Sequence, residues 1–525
     1  MGSKKGISRR NLLQSAPLAA LGLAATSKVK ADTKTEKQSE IKIGIGKGQR
    51  TGEPYELAGN RMVFTNWHYV RPGSFGYFGK DGKKISLRGS AGLLEAEMRQ
   101  FDAPYGIRLK AYPAQSKRSD VSISSIVKDG SKYRAWGGGY RISTDFKNWT
   151  EHPTKGGLGT SVFIDPSAPP QQRYKSAALG DATKEEFKAY IKKRPDDFQQ
   201  LSRDADPGRT HAIFGFVSPD GINWKKLPVP ISIEHSDTNI VAYYDTRLKK
   251  YVMYTRNYPF GPRSEKIPYD GFRNQWAVGP RSIGRSETDD FSHFPVSEVI
   301  LEPTPDMSPT DMLYTSGRTT IPGAPDHHLM FPTIWHRDTD TTSIGFLSSH
   351  NGKLWNYVPG SPLFHTPPFG QWNGGCIFTN VNLVELPDGS FALPYTGFNV
   401  PHKYPREIVR TRVTGLMLWP QGRLVALESP GRGVFATVAF VPPGRKLKIN
   451  AITERVTDIR IEVVAYHDGK PISGRTFDDC NPIVGDQHFT TVTWKGKDDL
   501  GFKEGTAIML RFKMNKAKIF GLQFD

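Results

Sequence analysis

Cysteine is nearly absent from this 525-residue chain, which holds only Cys376 and Cys480. Two thiols make no disulfide framework, and without a C-x-x-C spacing they form no zinc-type site, so neither a metal nor a cofactor is expected. Long apolar runs are scarce too. No stretch after residue 31 approaches the ~20 residues that cross a bilayer as a helix, and no transmembrane segment is expected. Acid is short against base, with 52 Asp and Glu against 71 Lys and Arg, a formal net charge of +19. Aromatic-interleaved basic motifs of the kind RNA readers carry are missing, which argues against nucleic acid as a partner.

What the chain has in quantity is 52 Gly, 39 Pro and 11% aromatic residues, at a mean hydropathy of −0.49. That composition favours many strands joined by tight turns, and the length exceeds one hydrophobic core, so two structural units are expected. Lys4-Lys5 and Ser8-Arg9-Arg10-Asn11-Leu12-Leu13 precede a short apolar stretch at 18–25 and Val29-Lys30-Ala31. These are the parts of a twin-arginine signal peptide over residues 1–31, predicting export to the periplasm or beyond. The leader holds six Lys or Arg and no acid, leaving +13 for the rest. In an exported protein such an excess points first to an anionic polysaccharide, an anionic cell surface or simple solubility.

A weak repeat organises the middle of the chain. Ser143-Thr144-Asp145-Phe146-Lys147-Asn148-Trp149 matches Ser218-Pro219-Asp220-Gly221-Ile222-Asn223-Trp224 and Ser349-His350-Asn351-Gly352-Lys353-Leu354-Trp355, with a looser copy at Asp290-Phe291-Ser292-His293-Phe294. Each reads as a strand end, an Asp or Asn turn and a sealing aromatic. Strand pairs turning at Asp129-Gly130, Asp165-Pro166, Asp245-Thr246, 322–326 and Asp388-Gly389 make five units that average about 65 residues, the size of four-stranded blades. Residues 181–207 interrupt the second unit, with Phe187, Tyr190 and Ile191 at helical spacing. After residue 427 the alternating segments 434–441, 446–449, 459–465 and 507–512 predict a β-sandwich. The fold class expected is all-β, a five-bladed β-propeller over 101–427 followed by a sandwich over 428–525. Residues 32–100 supply an outlying strand to either.

The five units and their S-x-D-G-x-x-W strand ends resemble the five-bladed propeller glycoside hydrolases, families 32 and 43 among them, over residues 100–427. The tail resembles the accessory sandwich that often follows such propellers. The resemblance implies a glycan substrate and carboxylates where innermost strands begin, because glycoside cleavage needs an acid for the leaving oxygen and a base or nucleophile. Counting back from the Asp129 and Asp245 turns reaches Asp120 and Asp237, each after a serine, in matching register. Asp120 is the candidate base or nucleophile and Asp237 the orienting carboxylate. Asp311, ahead of the fourth inner strand, is the candidate acid. Asp165 sits at a hairpin away from the axis, so its likeness to the Asp of family 32 is discounted; the Arg before it and the Glu-Cys pair are missing as well.

Other side chains suit a sugar site: Asp102 near the mouth, Tyr314, Trp372 for stacking, Arg256 and Arg318 for hydroxyls, carboxylates or sulfates, and His235 and His402 beside a carboxylate. The expectation is an extracytoplasmic glycoside hydrolase whose glycan is sulfated or uronate-bearing. A non-catalytic carbohydrate-binding propeller and a polysaccharide lyase remain open, the second favoured by a pocket rich in Arg with one carboxylate.

Overall fold

The computed structural model describes residues 54–81, 83, 85, 96–101, 103–195, 211–234, 236–258, 279–404 and 407–525. The expected leader lies outside them, as do Asp102 and His235.

Five chain segments fold into antiparallel sheets, each beginning at its inner edge. The first runs Ser125–Asp129, Lys132–Trp136, Tyr140–Ser143, Thr150–His152, and the second Ser161–Ile164, Tyr174–Asp181, His211–Ser218, Lys225–Lys226. The third runs Val241–Asp245, Lys250–Asn257, Ser282–Thr288, Glu298–Leu301. The fourth is two four-stranded sheets end to end, starting at Asp311–Thr315 and Arg318–Ile321. Gly317 makes the break between them at φ +53°, where a Cβ would meet the Phe331 carbonyl oxygen at 2.4 Å. Cys376–Thr379, Phe391–Phe398 and Arg412–Trp419 form the fifth.

Each sheet packs on the next. The inner strands of the first three lie side by side, Asp311–Thr315 lies on the third sheet, Cys376–Thr379 on the fourth, and Val384–Glu385 returns to Ser125–Asp129. That is a closed ring of five blades. Its last blade takes its outer strand, Gln115–Arg118, from ahead of the first blade, pairing Arg118 with Gly415 and Gln115 with Leu418.

The repeated turns share one hydrogen-bond pattern. Ser143, Ser218 and Ser349 each accept from the backbone N–H three residues on, at 2.9 Å in all three. Asp145, Asp220 and Asn351 likewise each accept from the N–H three residues on. Trp149, Trp224 and Trp355 therefore occupy equivalent positions. The preceding blade locks onto two of these turns, Trp136 Nε1 donating to the Gly221 carbonyl (2.8 Å) and Tyr254 OH to that of Gly352 (2.6 Å).

Where inner strands end, a second contact joins neighbouring blades. Asp129 accepts from Tyr174 OH (2.8 Å) and Arg173 Nη2 (2.7 Å), and the Arg173 bond holds its carboxyl well below the usual range. Asp165 accepts from Tyr251 OH at 2.7 Å, and the Glu385 carbonyl from Tyr133 OH at 2.7 Å. At the third and fourth blades the partner is a histidine, and Asp245 stands 4.0 Å from His328 Nε2.

The expected helix is Lys184–Lys193, closed by a Thr183–Glu186 capping box, with Tyr190 buried on the second blade. The C-terminal part is one hydrogen-bonded sheet of nine strands. Ile508–Phe524 pairs there with Val425–Ala436, Leu447–Thr453, Ile459–Ala465 and Arg61–Met62. Tyr55–Glu56 and Arg108–Ala111 join the same sheet. The early segment thus serves the C-terminal unit, and the expected limits at 101 and 427 fall inside one fabric. The physical reason is a shared core: Phe331, Leu393, Tyr395 and Trp419 of the blades bury with Leu427, Phe435, Ile519 and Leu522.

Candidate functional site

A cavity of about 240 Å³ opens where the third inner strand starts, bounded by the fourth and fifth blades. Its floor is a hydrogen-bonded set of short polar side chains. Asn239 Nδ2 donates to the Thr379 carbonyl at 2.8 Å, bridging the third and fifth blades, and Thr315 and Thr379 hydroxyls meet at 2.9 Å. Asn380 donates to the Ile123 carbonyl at 2.6 Å and accepts from Thr396. These residue types follow from the place, because the unpaired strand starts inside a ring need short side chains that satisfy backbone groups.

Asp237 stands at the rim, its side chain 39% exposed. Its Oδ1 accepts from Arg256 Nη1 at 2.5 Å and Arg281 Nη2 at 2.9 Å, and both guanidiniums are buried. Strand pairing delivers them together, since Arg256 lies opposite Ile283, two residues past Arg281. Arg281 also donates to the Tyr314 carbonyl (3.1 Å) and lies 3.6 Å from the centre of the Tyr314 ring. Burial, reinforced by Arg281, lowers the pKa of Arg256. Among the described residues, one carboxylate thus faces two guanidiniums in a poorly solvated wall.

His402 sits in an aromatic cage, edge-on to Tyr314, Trp335 and Phe378 at 4.8, 5.2 and 5.2 Å between ring centres. Arg410, 3.7 Å from the centre of the Phe398 ring, and the exposed Arg412 complete the lining. Among the described lining residues Asp237 is the sole carboxylate.

Of the side chains singled out from sequence, the cavity gathers Asp237, Tyr314 and His402, with Arg256 directly behind. Asp120 is exposed in a bend ahead of the first inner strand and does not line it. Asp311 is directly opposite His336 in its hairpin, accepts from His336 Nδ1 at 2.7 Å and from the Ser308 N–H, and is held as a turn and cross-strand partner. Trp372 stacks on Tyr395 against the core. Arg318 belongs to a different cavity, between the third and fourth blades. Sequence reasoning passed over Arg281, Asn239, Asn380, Arg410 and Arg412. The alternation of Arg410 and Arg412 at a strand start was a usable signal, whereas Arg281 meets Asp237 only through the tertiary fold.

No family model and no curated protein matches the chain. Solved structures similar to it include a thermostable family 43 glycoside hydrolase, 13% identical, covering 58% of this chain and 91% of that one at a TM-score of 0.35. A family 32 β-fructofuranosidase of Bombyx mori is 10% identical, covering 79% of this chain and 94% of its own at 0.31. An N-acetylgalactosamine deacetylase from F. plautii, solved with blood group B trisaccharide, is 10% identical over 67% and 94% at 0.30.

Proposed function

We propose that this protein is a glycoside hydrolase of acidic glycans, with the axial cavity as its active site and Asp237 as its central carboxylate. The observation that carries the reading is a carboxylate at an inner-strand start, facing a cavity with Arg256 and Arg281 behind it and Arg410 and Arg412 beside it. The guanidiniums match the carboxylate or sulfate of a uronate or sulfated sugar. Held by Arg256 and Arg281, the Asp237 carboxylate is positioned to stabilise positive charge developing at an anomeric carbon or to orient water. Asn239 and Asn380 offer hydrogen bonds to hydroxyls. Export by the twin-arginine route is part of the proposal and rests on Ser8-Arg9-Arg10; replacing both arginines by lysine should leave the protein in the cytoplasm.

A second reading, a uronate lyase, is favoured by the single carboxylate among the described lining residues, since β-elimination needs one base and cationic neutralisation of the uronate. Purified protein incubated with uronate, sulfated and neutral polysaccharides separates the two. New reducing ends without unsaturated uronate support hydrolysis, and unsaturated uronate, seen by its ultraviolet absorbance, supports elimination. Binding with neither product would leave a carbohydrate-binding propeller.

A further inference from the structure

Glycoside cleavage needs a carboxylate on one side of the scissile bond and an acid for the leaving oxygen, and the axial cavity has shown only the first. Few of its described lining residues can give up a proton. Arg410 and Arg412 keep theirs at any pH the fold meets. His402 is no better placed, because both of its ring nitrogens are buried. Tyr314 is left. It is half-buried, and its hydroxyl is neither buried nor hydrogen-bonded among the described residues.

The local fold singles out this side chain. Leu313 pairs with Ile334 and Thr315 with Thr333, so two steps along the inner strand oppose one on its partner, and Tyr314 is the extra residue of a β-bulge. A bulge takes a side chain out of the regular alternation of its strand, and bulges recur beside active sites where a side chain has to be re-aimed. The ring is then clamped on several sides. Arg281 lies 3.6 Å from its centre, and His402, Phe378 and Trp335 meet it edge-on at 4.8, 5.1 and 6.1 Å between ring centres. Arg281 also donates to Asp237 at 2.9 Å, so one guanidinium ties the tyrosine ring to the carboxylate.

We propose that Tyr314 is a second catalytic residue of the axial cavity, the acid that protonates the leaving glycosidic oxygen, an inference that rests on the hydrolase reading above. As the bond between the anomeric carbon and that oxygen breaks, its electron pair stays with the oxygen, which takes the phenol proton. The water oriented by Asp237 bonds to the anomeric carbon and releases one proton to solvent. The phenolate left behind meets the Arg281 charge and takes one proton back from solvent, which restores the starting state.

The test is Tyr314→Phe, which keeps the clamped ring and removes the proton. Both whole proteins are assayed on polygalacturonate, alginate and chondroitin sulfate, and on the 2,4-dinitrophenyl D-glucuronides of both anomers. On a polysaccharide that the wild type hydrolyses, kcat should fall about a hundredfold or more, with KM and Tm close to wild type. A hydroxyl that only bound substrate would raise KM instead. On a dinitrophenyl glucuronide, whose leaving group departs without a proton, the loss should be small. An undiminished kcat on the polysaccharide, a loss confined to KM, or an equal loss on the dinitrophenyl substrate would overturn the assignment of Tyr314 alone. No product from any probe with the wild type, or unsaturated uronate as its product, would instead overturn the hydrolase reading and this step with it.

Discussion

Asp237 carries two buried guanidiniums on one oxygen, so removing its charge changes the cavity in two ways at once. Asp237→Asn is expected to lower kcat on an acidic glycan by about a hundredfold if the carboxylate supports proton transfer. KM should not rise, because the wall becomes more positive. Steady-state kinetics on the two proteins check the split. Arg410→Ala with Arg412→Ala should do the converse, raising KM with little change in kcat. Wild-type kcat/KM should fall between 0.1 and 1 M salt, as the Debye length shrinks from about 10 to about 3 Å, and the double variant should show a flatter response. Turn register leads to Asp237, because it fixes where an inner strand begins, whereas Tyr314 and His402 were singled out only as side chains that suit a sugar site. Asp120 shares the register but stays in solvent, since a matching count from a turn does not set the direction of a side chain beyond the strand's end. Arg281 follows a long connection from Arg256, and no local pattern records that the two guanidiniums converge.

At the scale of the strand and its turn, the sequence carried most of the information. Asp129-Gly130, Asp245-Thr246 and Asp388-Gly389 each mark the turn after an inner strand: Asp245 and Asp388 accept from N–H groups of their own turns, and Gly130 and Gly389 take a left-handed conformation that side chains resist. Phe146 occupies the corresponding left-handed position of its turn at φ +60°, where Gly221 and Gly352 stand in the others, and it recovers packing against Tyr133 and Trp149. The doubled fourth blade was not legible, since its kink at Gly317 depends on the approach of Phe331 from the next strand. The clasp at Asp129 gives an acid-sensitive signature. Its folded-state pKa is lowered chiefly by the Arg173 hydrogen bond, so its contribution is complete above the ordinary carboxylate value of about 4 and is lost as pH falls through the folded value. Tm measured for wild type and Asp129→Asn should therefore differ by a constant amount near neutrality, the gap narrowing below about pH 4. A gap that widened on acidification would contradict this account.

For the whole molecule, the ring and the C-terminal sheet are one folding problem. Phe331, Leu393, Tyr395 and Trp419 lose their covering if residues 428–525 are removed, and the Val425–Leu427 stub left beside Arg108–Ala111 loses its pairing with Ile508–Phe524. A chain of residues 101–427 is expected to aggregate or bind a hydrophobic dye where the full chain does not, which soluble yield and sedimentation will report. The composition change after residue 427 says nothing of how the C-terminal core merges with the blades, because burial between distant segments leaves no periodic trace. The long strand Ile508–Phe524 adds a consequence for biosynthesis. Five strands, from Arg61–Met62 to Ile459–Ala465, wait for it, and every one of them leaves the ribosome first. At about 5 to 20 residues per second, the stretch from Val425 to Phe524 takes roughly 5 to 20 seconds to make, and through that interval unpaired edges face the cell's chaperones and proteases. A nascent chain halted anywhere short of Ile508 thus carries an incomplete sheet whose unpaired edges have no partner of their own.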